Sequence, residues 1–299
     1  MGSSEDLTSR SFSVRGANAR DRHAASYHAA VNTSAMRIDS IARAFAPGPG
    51  ARRRAVLPFV TAGYPSLDST RRLLPALGAA CRSVIEVGIP FSDPIADGPV
   101  IAESMHEALV AGCTPEGVFR AVREVREQVD AALVAMVSHS IVSRMGMGRF
   151  AADAAGAGFD GLIVPDIDLE DAPDLRAACD AAGIGCTLLV SPTSSDERVA
   201  RIVSHCSGFV YALARLGITG ERSEAPDVQA VVERIRRQTS LPVAAGFGIS
   251  TPAHVRAVLD HADGAIVGSA IVRRMREAIA AGRSPEDAAV ALVAELTKA

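Results

Sequence analysis

The chain contains no tryptophan and only three tyrosines in 299 residues. A platform for stacking nucleic-acid bases needs exposed aromatic rings, and binding a phosphodiester backbone needs excess positive charge. The formal net charge here is −3, so the composition argues against a nucleic-acid partner. No apolar run approaches the roughly 18 residues needed to span a bilayer. No signal-peptide apolar stretch lies near the N-terminus, and no membrane association is expected. The five cysteines (Cys81, Cys113, Cys179, Cys186 and Cys206) form no CxxC pair and no Cys/His ligand cluster. They read as reduced, buried thiols of a cytoplasmic protein, with no metal site expected.

What is present is an ordinary globular composition, 48% hydrophobic and 22% charged. The length suits one large α/β domain better than two small ones. Residues 1–34 stand apart, rich in Ser, Ala, Arg and His with little apolar periodicity. They read as a disordered extension; a transit-like segment, or Met36 as the functional start, are the alternatives. Residues 36–45 (MRIDSIARAF) carry apolar residues at helical spacing and are expected to form a short helix closing a barrel floor. APGPGARRR then breaks it. The barrel domain is therefore placed at 35–299.

From residue 55, short apolar β-branched runs alternate with longer Ala/Arg/Glu stretches of helical period. Strands are predicted at 55–62, 83–89, 131–138, 159–165, 185–191, 208–214, 241–246 and 263–267. Near-continuous apolar strands indicate a parallel sheet buried on both faces. Eight β-α units predict a (β/α)8 TIM barrel in a single domain. A doubly wound open sheet is the competing architecture, but it would want a Gly-rich turn after its first strand, and VTAGYPS is not a GxGxxG.

Barrel chemistry sits at the C-terminal ends of the strands. The segment 85–101, IEVGIPFSDPIADGPVI, holds Glu86, Asp93 and Asp97 among apolar residues, without Lys or Arg. Glu86 lies inside an apolar strand, where burial raises a carboxyl pKa towards what a general acid needs. Asp97 sits in a loop and is expected to be more solvated and ionised. Two carboxyls in unlike environments suit a proton donor and a charge stabiliser; a structural Glu beside a turn Asp is the plainer alternative. Gly-rich turns at 217–220, 246–248 and 268–269 suggest a phosphate held by backbone N–H groups and a helix N-terminus. Ser269 is expected to cap that helix and donate its hydroxyl. The alternative is that these are only tight turns. The histidines are scattered, and only His139, after the third strand, is placed to face a pocket. Arg52–Arg54 and Arg71–Arg72 read as solvated surface.

IEVGIPFSDPIADGP resembles the signature of the tryptophan synthase α subunit. So do LPFVTAGYP at 57–65, DGLIVPD at 160–166, GITG at 217–220, GFGIS at 246–250 and GSAIV at 268–272. They occur in that family's order over about residues 36–299. The resemblance implies a carbon–carbon lyase that splits indole-3-glycerol phosphate into indole and glyceraldehyde 3-phosphate, with no organic cofactor or metal. Glu86 takes the place of the acid/base that protonates the indole ring carbon, and Asp97 that of the carboxylate at the indole nitrogen. Gly220, Gly248, Gly268 and Ser269 would hold phosphate. Phe59 and Tyr211 match positions near the indole pocket, and Thr219 a loop residue that orders Asp97.

The sequence also departs from the family. Ser138 and Ser140 stand at its Tyr and Asn positions after strand three. Ile167-Asp168-Leu169 replaces a Leu-Pro-Pro-like stretch, Ala214 a Ser, Leu216 a small polar residue and Val100 a Thr. Several of these lie on loops that in the family line the pocket or touch the β subunit. An α subunit activated by a β subunit and a free-standing lyase of a specialised pathway both remain open, and the altered loops tilt towards independence or a different partner. Retention of Glu86 and Asp97 argues against a non-catalytic, partner-binding barrel.

Overall fold

A computed structural model describes residues 39–46, 54–93, 97–214 and 226–299. The expectations for residues 1–34 and for Leu216, Thr219 and Gly220 fall outside them.

Among the described residues nine strands run in order: β1 Ala55–Thr61, β2 Val84–Gly88, β3 Ala132–Met136, β4 Gly161–Ile163, β5 Gly185–Thr187, β6 Leu189–Val190, β7 Val210–Leu213, β8 Val243–Gly246 and β9 Gly264–Val267. Every pairing is parallel, in the order β5-β4-β3-β2-β1-β9-β8-β7-β6. Only Leu188 separates β5 from β6, and its carbonyl accepts the Tyr211 N–H at 3.1 Å. β5 and β6 are thus one strand with a break, and the ring closes as the predicted eight-stranded barrel. All eight predicted strands are present, each a little shorter than its apolar run. Among the described residues no helix is long and apolar enough to cross a membrane.

The two-residue side-chain period divides the core into two clusters. Inside the barrel lie Leu57, Val84, Val134, Ile163, Tyr211, Ala244 and Ile266. Their neighbours Val56, Ile85, Val87, Ala135 and Leu162 belong to the outer cluster with the helices. Glu86 shares the inward parity of Val84, so a carboxyl points into a space otherwise filled by apolar groups.

The floor is built as expected from the segment before β1. Residues 39–44 are helical, and Ile41 and Phe45 are buried against the barrel interior. A methyl group on Gly161 or Gly185 would lie 3.1 or 3.0 Å from Ile41 Cδ1. Side-chain-free strand positions therefore make room for the plug. Phe45 leans on Phe209 at a ring separation of 5.5 Å.

Two aspartates tie adjacent strands at this end. Asp160 is almost fully buried, pairs with Arg126 at 3.0 Å and accepts the Leu133 N–H at 2.8 Å. Asp263 pairs with Arg236 at 3.1 Å and accepts the Val243 N–H at 2.9 Å. The Arg71–Arg72 pair is not merely solvated: Arg71 bonds Asp68 and Glu124, and Arg72 bonds Glu286. All five cysteines are free and buried, as expected.

Candidate active site

At the C-terminal ends of the strands the barrel opens into a cavity of about 440 Å³, within the usual range for small-molecule sites. Glu86 forms part of its wall and is wholly buried, and neither carboxyl oxygen has a hydrogen-bond partner among the described residues. Burial alone drives its pKa up to about 8. At neutral pH Glu86 therefore carries a proton and has no acceptor for it among the described residues.

Asp97 lines the same cavity, just before the Pro99–Val110 helix. It is less solvated than expected: burial raises its pKa to about 6. It is still mostly ionised at pH 7, so the expected division into one protonated and one charged carboxyl holds, with both values displaced upward. Ile101 and Met105 project from the same helix at i, i+4 spacing to cover this side of the cavity.

Two aromatic side chains complete the inner wall. Phe59, paired in register with Glu86, lies over Gly88, where an added Cβ would sit 2.5 Å from the ring. Tyr211 lies over Gly246, where a Cβ would meet its phenol oxygen at 2.3 Å. Glycine at these two strand ends is what admits the rings. The Tyr211 phenol is raised well above its usual pKa, first by burial and then by Glu86 and Asp97, both charged at the alkaline pH where a phenol titrates.

The predicted phosphate residues Gly248, Gly268 and Ser269 all line the cavity on the β8–β9 side. The capping expectation is corrected. Gly268 is the N-cap of the Ser269–Ala280 helix, no side-chain cap bond forms, and Ser269 is its first residue. Phe247 and Gly248 both have positive φ, 86° and 83°. For a phenylalanine this is strained backbone, the kind that concentrates at functional sites.

His139 does not line the cavity. Its N–H bonds the Asp166 carboxylate at 2.7 Å, and its Nε2 is buried 3.8 Å from Asp171, beyond hydrogen-bond reach. Ser138 caps the His139–Met145 helix and also donates to Asp166 at 2.8 Å. Sequence reasoning missed much of the apolar wall: Phe91, Met136, Leu189, Leu213, Phe247, Ile249 and Ile266. The inward parity shared with Glu86 and Tyr211 was a usable signal for Met136, Leu213 and Ile266. For Phe247 there was none, because its position depends on a backbone conformation that sequence does not announce.

The profile of the tryptophan synthase alpha chain family matches residues 45–299. A tryptophan synthase alpha chain from Halorhodospira halophila is 45% identical over 260 residues, covering 85% of this chain and 95% of the relative. One from Roseiflexus sp. is 43% identical over 243 residues, covering 81% and 93%. Among solved structures, Mycobacterium tuberculosis tryptophan synthase superposes with a TM-score of 0.75 at 33% identity, over 89% of this chain and 96% of that one. A chain of the Pyrococcus furiosus tryptophan synthase α2β2 complex does so with a TM-score of 0.75 at 35% identity, over 82% and 98%. With a closed parallel barrel, a buried proton-bearing glutamate at its mouth and these similarities along most of its length, the chain belongs to the tryptophan synthase alpha chain family.

Proposed function

We propose that Glu86 and Asp97 are the acid–base pair of a lyase that cleaves indole-3-glycerol phosphate to indole and glyceraldehyde 3-phosphate. The observation that carries this reading is the pairing of a fully buried carboxyl of pKa about 8 with a second carboxyl of about 6 on one apolar cavity.

The reaction needs a proton delivered to the ring carbon that bears the glycerol chain. Glu86 holds that proton at neutral pH. Protonation leaves positive charge at the ring nitrogen, which the Asp97 carboxylate stabilises while accepting its N–H. The Glu86 carboxylate then removes the proton of the hydroxyl next to the ring. The carbon–carbon bond breaks, its electron pair returns to the ring, and the oxygen becomes the aldehyde carbonyl. Phe59 and Tyr211 flank the aromatic portion. Gly248, Gly268 and Ser269, with Gly220, take the phosphate end, and Thr219 orders Asp97, so that substrate spans the cavity with its reacting carbon at Glu86.

The free, buried thiols fit a reducing compartment, and we assign the chain to the cytoplasm. We assign residues 1–34 as an extension outside the catalytic barrel, which spans 35–299. The partner is a tryptophan synthase β subunit, as in the α2β2 complex of the P. furiosus relative.

The test is indole release by the purified chain, alone and with an added β subunit, for wild type and for Glu86→Gln and Asp97→Asn. Wild type should release indole faster with the β subunit, and each variant should lose about 10²- to 10⁴-fold in kcat. Near-wild-type turnover by either folded variant would refute the assignment. Fast release that the β subunit leaves unchanged would make the chain a free-standing lyase.

A further inference from the structure

The cavity wall is electrostatically lopsided. Among the described lining residues there are four acids, Glu86, Asp93, Asp97 and Asp166, and no Lys, Arg or His. Three of the four come from β2 and the segment after it, and the fourth from the loop after β4. The opposite quadrant, after β8 and β9, contributes Gly248, Gly268 and Ser269 and no acid.

The proposed reaction uses neither Asp93 nor Asp166; among the described residues Asp93 bonds only its neighbour Ser92, whereas Asp166 is fixed from a second element of the barrel. Its carboxylate is pinned by two donors, Ser138 Oγ at 2.8 Å and the His139 N–H at 2.7 Å. Ser138 is itself held by Ser140, whose N–H it accepts at 3.2 Å. In an eight-stranded ring the loop after β4 lies across from β9. Asp166 therefore faces the end of the cavity that the aromatic portion occupies when phosphate sits at β8–β9. A fixed negative charge there repels a second negative charge brought in on the aromatic ring.

Resting on the functional reading above, we propose that Asp166 is a specificity-determining residue that excludes substrates carrying an acidic substituent on the aromatic ring. The substrate's one anionic group is thereby directed to the β8–β9 quadrant, and aryl-glycerol phosphates bearing a ring carboxylate are rejected. The discrimination comes from a repulsive element rather than from a better contact to the preferred substrate.

The experiment compares kcat/KM for indole-glycerol phosphates carrying a carboxylate or a carboxamide at the same ring position, for each position of the six-membered ring. The two groups match in size and differ in charge. In wild type the carboxylate should be the poorer substrate at one or more positions. Asp166→Asn, which keeps an oxygen for Ser138, should raise the carboxylate-to-carboxamide ratio roughly fivefold there, as expected for one partly screened charge. Taking the ratio within each protein cancels any general effect of the substitution. In wild type, raising the ionic strength should move the ratio the same way without any mutation. A ratio unaffected by both changes overturns the proposal while leaving the lyase reading intact. Failure of wild type to cleave the unsubstituted substrate would overturn the lyase reading and this inference with it.

Discussion

The two ends of the barrel solve opposite problems with the same device. At the floor, glycines at Gly161 and Gly185 leave space that Ile41 fills, and the result is a closed apolar plug. At the mouth, glycines at Gly88 and Gly246 leave space for Phe59 and Tyr211, and beyond those rings the described side chains line a cavity instead of a plug. The floor buries its charge only with partners, as Asp160 with Arg126. The mouth buries Glu86 with none among the described residues. Stability is concentrated at one end, and at the other it is given up for a proton held at an unusual pKa.

That contrast predicts opposite responses to substitution. The largest effect is expected for Glu86→Gln, which should cut indole release by about 10²- to 10⁴-fold yet stabilise the barrel at alkaline pH. The folded-state pKa of Glu86 is raised, so its stabilising contribution is fully present below the ordinary carboxyl value and is lost as pH rises through about 8. The loss is roughly 1.4 kcal/mol per pH unit across that window. Urea titrations of both proteins at pH 5 and pH 9 check this; a variant less stable than wild type at pH 9 would break the contrast.

At the floor, Ile41→Ala should cost about 2–4 kcal/mol of stability through the cavity it leaves, with KM for substrate unchanged. Asp160→Ala should cost about 3 kcal/mol, because Arg126 and the Leu133 N–H lose their shared acceptor. Denaturant midpoints and steady-state kinetics on the same samples separate the two readouts. A KM shift in either variant would show that the ends are coupled. The smallest effect on folding is expected for Gly246→Ala, which displaces Tyr211. It should lower kcat/KM about tenfold while costing about 1 kcal/mol. A loss of stability without a loss of activity would place Tyr211 in the floor's role.

The barrel was readable because its strands are buried on both faces and so appear as unbroken apolar runs separated by helical periods. Even the floor helix was visible in the spacing of Ile41 and Phe45. Glu86 was readable for the same reason it is proposed to act: a carboxyl amid Ile85 and Val87 violates the pattern around it. Asp97 was located but its environment was misjudged, since it lines the apolar cavity just before the Pro99–Val110 helix and a turn Asp carries no mark of what will surround it. Ser269 was assigned a capping role that Gly268 takes, because a one-residue shift in a helix start cannot be read from composition. His139 points away from the cavity, and its backbone, not its ring, serves the site through Asp166. Phe247 lay beyond reach, since positive φ at phenylalanine is imposed by tertiary packing.

The central claim is that Glu86 works protonated and Asp97 works ionised at the barrel mouth, and the pH dependence of kcat/KM for indole release by wild type tests it most directly. A plateau is expected between about pH 6 and 8, with the rate falling towards tenfold per unit on the acid side as Asp97 is protonated and on the alkaline side as Glu86 loses its proton. A rate that stays level from pH 8 to pH 10 would contradict it, because the proton donor would then have to be some other group.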